Sequence, residues 1–181
     1  MKTRKKEADN LAYRFRIDDD GSYRLYFAKT DGCCRFVYNR LVDDEGTYYK
    51  VMGKKLGNEV SDYKDDYPFL KEVDSLALAG AKMAYGRAMD NFFGKRAAYP
   101  KFKSKKAPRL SFTTYMVGRN IKYDEAAHLL TLPKKDTPVK IIQHRKIRHG
   151  GTLKSVTLSR EADGAYYAFI VTGKQIGRAH V

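Results

Sequence analysis

The sequence predicts an α+β fold in which a helical stretch interrupts a small antiparallel β-structure just after its first strand. Three observations carry that reading. Residues 11–17 alternate with period two, residues 22–42 and 74–93 place apolar side chains at helical spacing, and from Leu110 onward short apolar runs are separated by turn residues.

The elements follow in order. Leu11, Tyr13, Phe15 and Ile17 alternate with Ala12, Arg14 and Arg16, which predicts a strand with one apolar and one basic face. The acidic stretch 18–21 ends it. Ser22 is expected to cap a helix running to about Val42, with Tyr26, Cys33, Val37 and Leu41 as its stripe and Leu25 and Phe36 beside it. Gly32 is a weak point in that helix, residues 47–55 read as a short second helix, and 57–67 is polar and acidic. Asp74 or Ser75 is expected to cap a further helix to about Phe93, with Leu78, Ala81, Tyr85, Met89 and Phe92 on one face. Gly80 and Gly86 within it each cost about 1 kcal/mol relative to alanine, and leave room for a close helix crossing. Pro100 rules out a regular helix over 99–103. Strands are then expected at 111–116, at 120–123 and 129–132 as a hairpin, and at 139–144, 155–160 and 166–171, the last two joined by the turn 161–164. One strand, helices, then five or six strands fit an OB-like antiparallel barrel with an α-helical lobe inserted after its first strand. An independent helical domain followed by an unrelated β domain is the alternative.

Composition narrows the function. Hydrophobic residues make up 43% of the 181, enough to build a core, so the chain is not of the disordered class. Lys and Arg number 36 against 21 Asp and Glu, a net charge of +15, which favours a polyanionic partner. Cys33 and Cys34 are adjacent and alone, which excludes a disulfide framework and fits a reducing cytoplasm. The absence of a C-x-x-C pair and the scattered histidines weigh against a zinc site. The basic start 1–6 leads into no apolar run, and no stretch approaches the ~20 apolar residues of a membrane span.

The positive charge is unevenly placed. No acidic residue lies between Asp90 and Asp124, a stretch that holds Lys95, Arg96, Lys101, Lys103, Lys105, Lys106, Arg109, Arg119 and Lys122. Tyr99, Phe102, Phe112 and Tyr115 interleave with them. Lysines of this kind hold phosphates, and aromatic rings stack on unpaired bases at about 1–3 kcal/mol per base. Tyr99 and Phe102 suit anchoring the segment to the core better than stacking. A second basic run within 140–154 carries Arg145, Lys146 and Arg148 beside His144 and His149, whereas 43–74 is acidic and is expected to face away from nucleic acid. No nucleotide-cradling, metalloprotease or nucleophile-elbow motif is present, and His128, His144 and His149 read as surface residues, so no catalytic residue or metal ligand is assigned.

The run Tyr13-Arg14-Phe15-Arg16-Ile17 and the run 32–40 (Gly-Cys-Cys-Arg-Phe-Val-Tyr-Asn-Arg) resemble the TnpB/OrfB family of transposon-encoded proteins, compact relatives of type V CRISPR effectors. So do Asp74-Ser75-Leu76 opening a helix that ends in Asn91-Phe92-Phe93, and the run 99–106 followed by Ser111-Phe112-Thr113-Thr114. The resemblance implies a wedge barrel built from 11–17 and 109–172, with a helical recognition lobe and basic connector at 18–108. It implies binding of a guide RNA scaffold and of a short duplex DNA motif beside the target, while guide pairing selects the target strand. Older descriptions call the family transposases with a helix-turn-helix. The family's nuclease domain, with three carboxylates for Mg²⁺-dependent two-metal cleavage and a four-cysteine structural Zn²⁺ element, is expected beyond the residues of this chain, which is therefore expected to bind without cutting. Arg14, Arg16, Tyr99, Lys101, Phe102, Lys103, Lys105, Lys106, Arg109, Arg145, Lys146 and Arg148 are the expected nucleic-acid-binding residues. The chain departs from the family at 18–22, at Asp31 where an aromatic is usual, and at Gly80 and Leu110 where polar residues are usual. Residues 173–181 are expected to be a non-native tail, because 176–181 can be encoded by a common sequencing-adapter string. The second reading is a complete, stand-alone RNA- or DNA-binding module or regulator.

Overall fold

The computed structural model describes residues 10–54, 56–147 and 151–174. The alternating segment is strand β1 (Asn10–Asp18), with Tyr13, Phe15 and Ile17 buried and Arg14 and Arg16 exposed. Leu11 departs from the expected apolar face: near the strand's outer end, opposite Thr172, it stays exposed. The helical insertion follows as α1 (Ser22–Met52), α2 (Val60–Asp66), a 3-10 turn (Pro68–Glu72) and α3 (Ser75–Phe93). Six strands come after it: β2 (Leu110–Tyr115), β3 (Lys122–Asp124), β4 (Leu129–Thr131), β5 (Val139–Ile142), β6 (Gly151–Arg160) and β7 (Tyr166–Lys174). No helix among the described residues is long and apolar enough to cross a membrane.

All seven strands form one sheet in the order β2-β6-β7-β1-β5-β4-β3, every neighbouring pair antiparallel. β1 takes the central place, with Phe15 opposite Ala168 of β7 and Ile17 opposite Ile141 of β5. The expected hairpin at 120–132 is β3–β4, with Tyr123 opposite Leu130. β7 runs further than expected, because Gly173 pairs with both Asn10 and Thr152. Gly173 and Lys174 are therefore strand, not tail, and the remainder of the expected tail lies outside the described residues.

One helix replaces the two expected over 22–55. The buried face of α1 continues without a break through Leu41, Val42, Glu45 and Gly46, so packing carries the helix past its acidic stretch. Arg40 pairs with Asp44 one turn on at 2.8 Å, which offsets like-charge repulsion there. The helix stops at Gly53, which takes the left-handed conformation (φ 65) and donates its N–H to the Tyr49 carbonyl. Ser22 is the first helical residue, not the cap. Asp20 Oδ1 accepts from the Ser22 backbone N–H at 3.0 Å and from its hydroxyl at 2.7 Å, turning the chain from β1 into α1. Tyr23, Phe27, Thr30, Cys34, Tyr38 and Leu41 all lie on the buried face, whereas Leu25 is 75% exposed.

Helices and sheet share one core. The Phe27 ring meets Phe112 of β2 at 5.4 Å and Tyr166 of β7 at 5.2 Å. α3 lies against β2, the end strand of the sheet. Asp74 caps α3 by accepting the Leu76 N–H at 3.0 Å and uses its other oxygen for the buried Thr114 hydroxyl, so one carboxylate ties the helix start to the strand. Gly80 explains how near the two run: a Cβ there would collide with the Thr113 carbonyl oxygen and touch the Tyr115 ring at 3.4 Å. The close approach expected of these glycines is thus helix to strand, and Gly86 has open space instead. Gly80→Ala should destabilise the fold by about 1–3 kcal/mol through overpacking, while Gly86→Ala should stabilise it by about 0.5–1 kcal/mol. Urea unfolding of the two variants checks both signs.

Candidate nucleic-acid interface

The outer face of the sheet carries alternate side chains of β1 and β7. Arg14 stands opposite Phe169 and Arg16 opposite Tyr167, since directly paired residues share a face. The Arg14 guanidinium lies over the Tyr167 ring at 3.8 Å and reaches Phe169 at 5.7 Å. Arg109, just before β2, sits over Phe169 from another side at 5.6 Å and pairs with Glu161 at 3.1 Å. The result is a ladder of guanidinium groups and aromatic rings, half open to solvent, with Arg16 beside it. Stacking of this kind orients planar donor forks while leaving edges free for phosphate oxygens.

The basic connector runs along α1. Lys103 is fixed by its backbone: its N–H donates to Asn39 Oδ1 at 2.7 Å and its carbonyl accepts from Asn39 Nδ2 at 3.0 Å. Its ammonium lies over the Tyr38 ring at 4.2 Å, and removal from water lowers its pKa. Tyr99 anchors the start of the connector, donating its hydroxyl to the Val42 carbonyl at 3.2 Å and packing edge-on against Phe92 at 5.3 Å. Lys101, Phe102, Lys105 and Lys106 are exposed, Phe102 at 62%. The connector is thus held at two points, by the Tyr99 side chain and by the backbone of Lys103, and Lys103 is itself an exposed residue in the row of cations, set apart by its contact with the Tyr38 ring.

The second basic run lies elsewhere. Arg145 places its guanidinium over Tyr13 at 5.1 Å and donates to the Ala12 carbonyl at 3.3 Å. Tyr13 belongs to the buried side of β1, so Arg145 sits across the strand from Arg14. Lys146 is exposed nearby, and Arg148 lies outside the described residues. Arg14, Arg16 and Arg109 therefore come together, Lys101, Lys105 and Lys106 form a second row, and Arg145 with Lys146 forms a third on the other side. Tyr167 and Phe169 were missed from sequence. Their signal was available: they alternate with the buried Ala168 and Ile170, as Arg14 and Arg16 alternate with Phe15 and Ile17.

Asp31, the acid in the α1 stripe, is 6% exposed and pairs with Arg35 one turn on at 2.9 Å. Burial raises its pKa, against the pull of Arg35 and Lys103. Burial likewise pushes the Cys34 thiol far up, which keeps it protonated and unreactive.

A helix-turn-helix domain family model, of the OrfB and IS605 type, matches residues 10–55. A protein of Streptomyces pristinaespiralis named as an RNA-guided DNA endonuclease is 29% identical over 88% of this chain. An Escherichia coli K12 protein named as the RNA-guided DNA endonuclease InsQ is 27% identical over 91% of it. The chain is thus similar to OrfB/IS605-type proteins over residues 10–55 and to these two relatives over most of its length. It spans about 40% of the length of these curated relatives. The stretch matched by the helix-turn-helix model comprises β1 and α1, a strand and one continuous helix.

Lys105→Ala and Lys106→Ala should each lower the log–log salt slope of nucleic-acid binding by about 1, as should Arg14→Ala, if each meets a phosphate. Lys103→Ala should instead lower stability by about 0.5–1 kcal/mol, through loss of its ring contact. Salt titrations beside thermal melts separate the two classes.

Proposed function

We propose that this chain is the nucleic-acid-binding part of an RNA-guided DNA endonuclease, and that it holds structured guide RNA and target-adjacent duplex DNA. The observation that carries the reading is the ladder of Arg14 and Arg109 on Tyr167 and Phe169, beside an acid-free connector. In this reading the seven-stranded sheet serves as the family's wedge barrel and α1 to α3 as its recognition lobe. The outer face of β1 and β7 binds phosphates of the RNA scaffold, and the outward lysines 101, 105 and 106 follow a second backbone. The setting is the cytoplasm, on nucleoid DNA when bound.

The same reading assigns cleavage, Mg²⁺ and structural Zn²⁺ to the whole relatives. Two-metal cleavage needs carboxylates held together around the ions. Here several carboxylates are engaged in ion pairs, Asp19 with Arg24, Asp31 with Arg35 and Asp44 with Arg40. The purified chain should bind structured RNA and duplex DNA in filter-binding assays, and Arg14→Ala with Arg109→Ala should weaken RNA binding at least about tenfold, roughly 1.4 kcal/mol. It should leave both nucleic acids uncut in Mg²⁺ or Mn²⁺. Unchanged RNA affinity in the double variant would remove the sheet face from the interface, and metal-dependent cutting would overturn the division of labour.

A further inference from the structure

A cleft of about 330 Å³ opens where α1, the basic connector and the β6–β7 neck meet. Asp31 and Arg35 line it from α1, Lys105 from the connector, and Arg160 and Tyr166 from a directly paired position on β6 and β7. Tyr166 is half-buried, and Tyr23 and Phe27 brace its ring edge-on at 5.2 Å each. Asp31 uses Oδ2 for Arg35, and Oδ1 has no hydrogen-bond partner among the described residues. The side chains of Lys105 and Arg160 likewise have no ion-pair partner among the described residues.

These groups form a coherent donor and acceptor set. A braced aromatic ring offers a stacking surface, worth about 1–3 kcal/mol for a base. A buried carboxylate is an acceptor only, and guanine alone among the common bases presents two donors side by side, N1–H and N2–H, on its pairing edge. Adenine and uracil put an acceptor where one of those donors would be. The Arg35 guanidinium beside the carboxylate suits the O6 and N7 acceptors of the same base. Lys105 and Arg160 at the mouth supply charge for the phosphate attached to it. A bare anion fits less well, because the Asp31 carboxylate would repel it.

We infer that this cleft is a pocket for a single unpaired guanine nucleotide, with Asp31 reading its pairing edge, Tyr166 stacking on the base and Lys105 and Arg160 holding its phosphate. The inference rests on the proposed nucleic-acid-binding role and adds a base-specific contact to it. It gives Asp31 a task in the place where relatives are expected to carry an aromatic side chain.

The test uses single-stranded oligonucleotides, RNA and DNA in separate arms, that differ only in one central base. Guanine should bind about tenfold tighter than adenine, the discrimination expected of a good bidentate contact. Inosine, which lacks the N2 donor, should fall between them and needs no protein variant. Asp31→Asn should abolish the preference, whereas Arg160→Ala should weaken guanine and adenine oligonucleotides alike and keep it. A preference confined to the RNA arm assigns the guanine to RNA, and one confined to the DNA arm to a displaced DNA strand. A titration with 5′-GMP against 5′-AMP, followed at the Tyr166 ring resonances, reads the pocket without relying on oligonucleotide binding. Shifts with 5′-GMP but no oligonucleotide binding would sink the nucleic-acid role and keep the pocket. Oligonucleotide binding with equal affinity for all bases, or a preference that survives in Asp31→Asn, would overturn the pocket alone.

Discussion

The pairing of the first strand with the last fixes most of this structure. β1 and β7 join through seven successive residue pairs, from Asn10 with Gly173 to Arg16 with Tyr167. Closing so long a loop costs chain entropy before any contact repays it, so the register must be held by burial. Tyr13, Phe15 and Ile17 supply that burial on one face, against Ala168, Ile170 and Ile141. A slip by one residue would turn those three outward and drive Arg14 and Arg16 into the core. The register that makes the core therefore also sets the arginines beside Tyr167 and Phe169, and the fold and the candidate interface depend on one constraint.

The helical insertion is tied to this sheet at several points. Aromatic packing of Phe27 on Phe112 and Tyr166 joins the start of α1 to the strands. The Asp74 carboxylate joins the start of α3 to β2, and Gly80 allows the helix backbone to lie close on that end strand. Asn39 then grips the connector backbone at Lys103 from α1. End strands carry unpaired backbone groups, so a helix laid along β2 also protects the sheet from pairing with another chain. The connector is thus held at defined points, and its outward lysines project from a supported backbone.

Much of this was legible in the residues. The period-two pattern of 11–17 fixed β1 and its two faces, because alternation of apolar and basic side chains has no helical counterpart. The residues offer Asp74 or Ser75 as the cap of α3, and the structure decides for Asp74, whose carboxylate accepts the Leu76 N–H. The length of α1 was not legible, since Gly46 and the acids before it look like a break; only the Tyr99 ring lying over Gly46 shows why a small residue sits inside a continuous helix. The grouping of basic residues was hidden as well. Arg14 and Arg145 both look like surface cations, and only strand register shows that they sit on opposite sides of β1. Asp31 reads as a fault in the helix until its pairing with Arg35 is seen.

The segment described as a helix-turn-helix contains β1 and a helix that runs unbroken from Ser22 to Met52, so among its described residues no second helix is free to enter a groove as a recognition helix. Binding through the sheet face and the connector is the physical alternative, and the two place the contact on different elements. Hydrogen–deuterium exchange of the chain with and without bound structured RNA measures this most directly. The account predicts slowed exchange in β1, in β7 and across residues 101–109, with α2 unchanged. Protection confined to the exposed side of α1, with β1 and β7 exchanging as in the free protein, would contradict it.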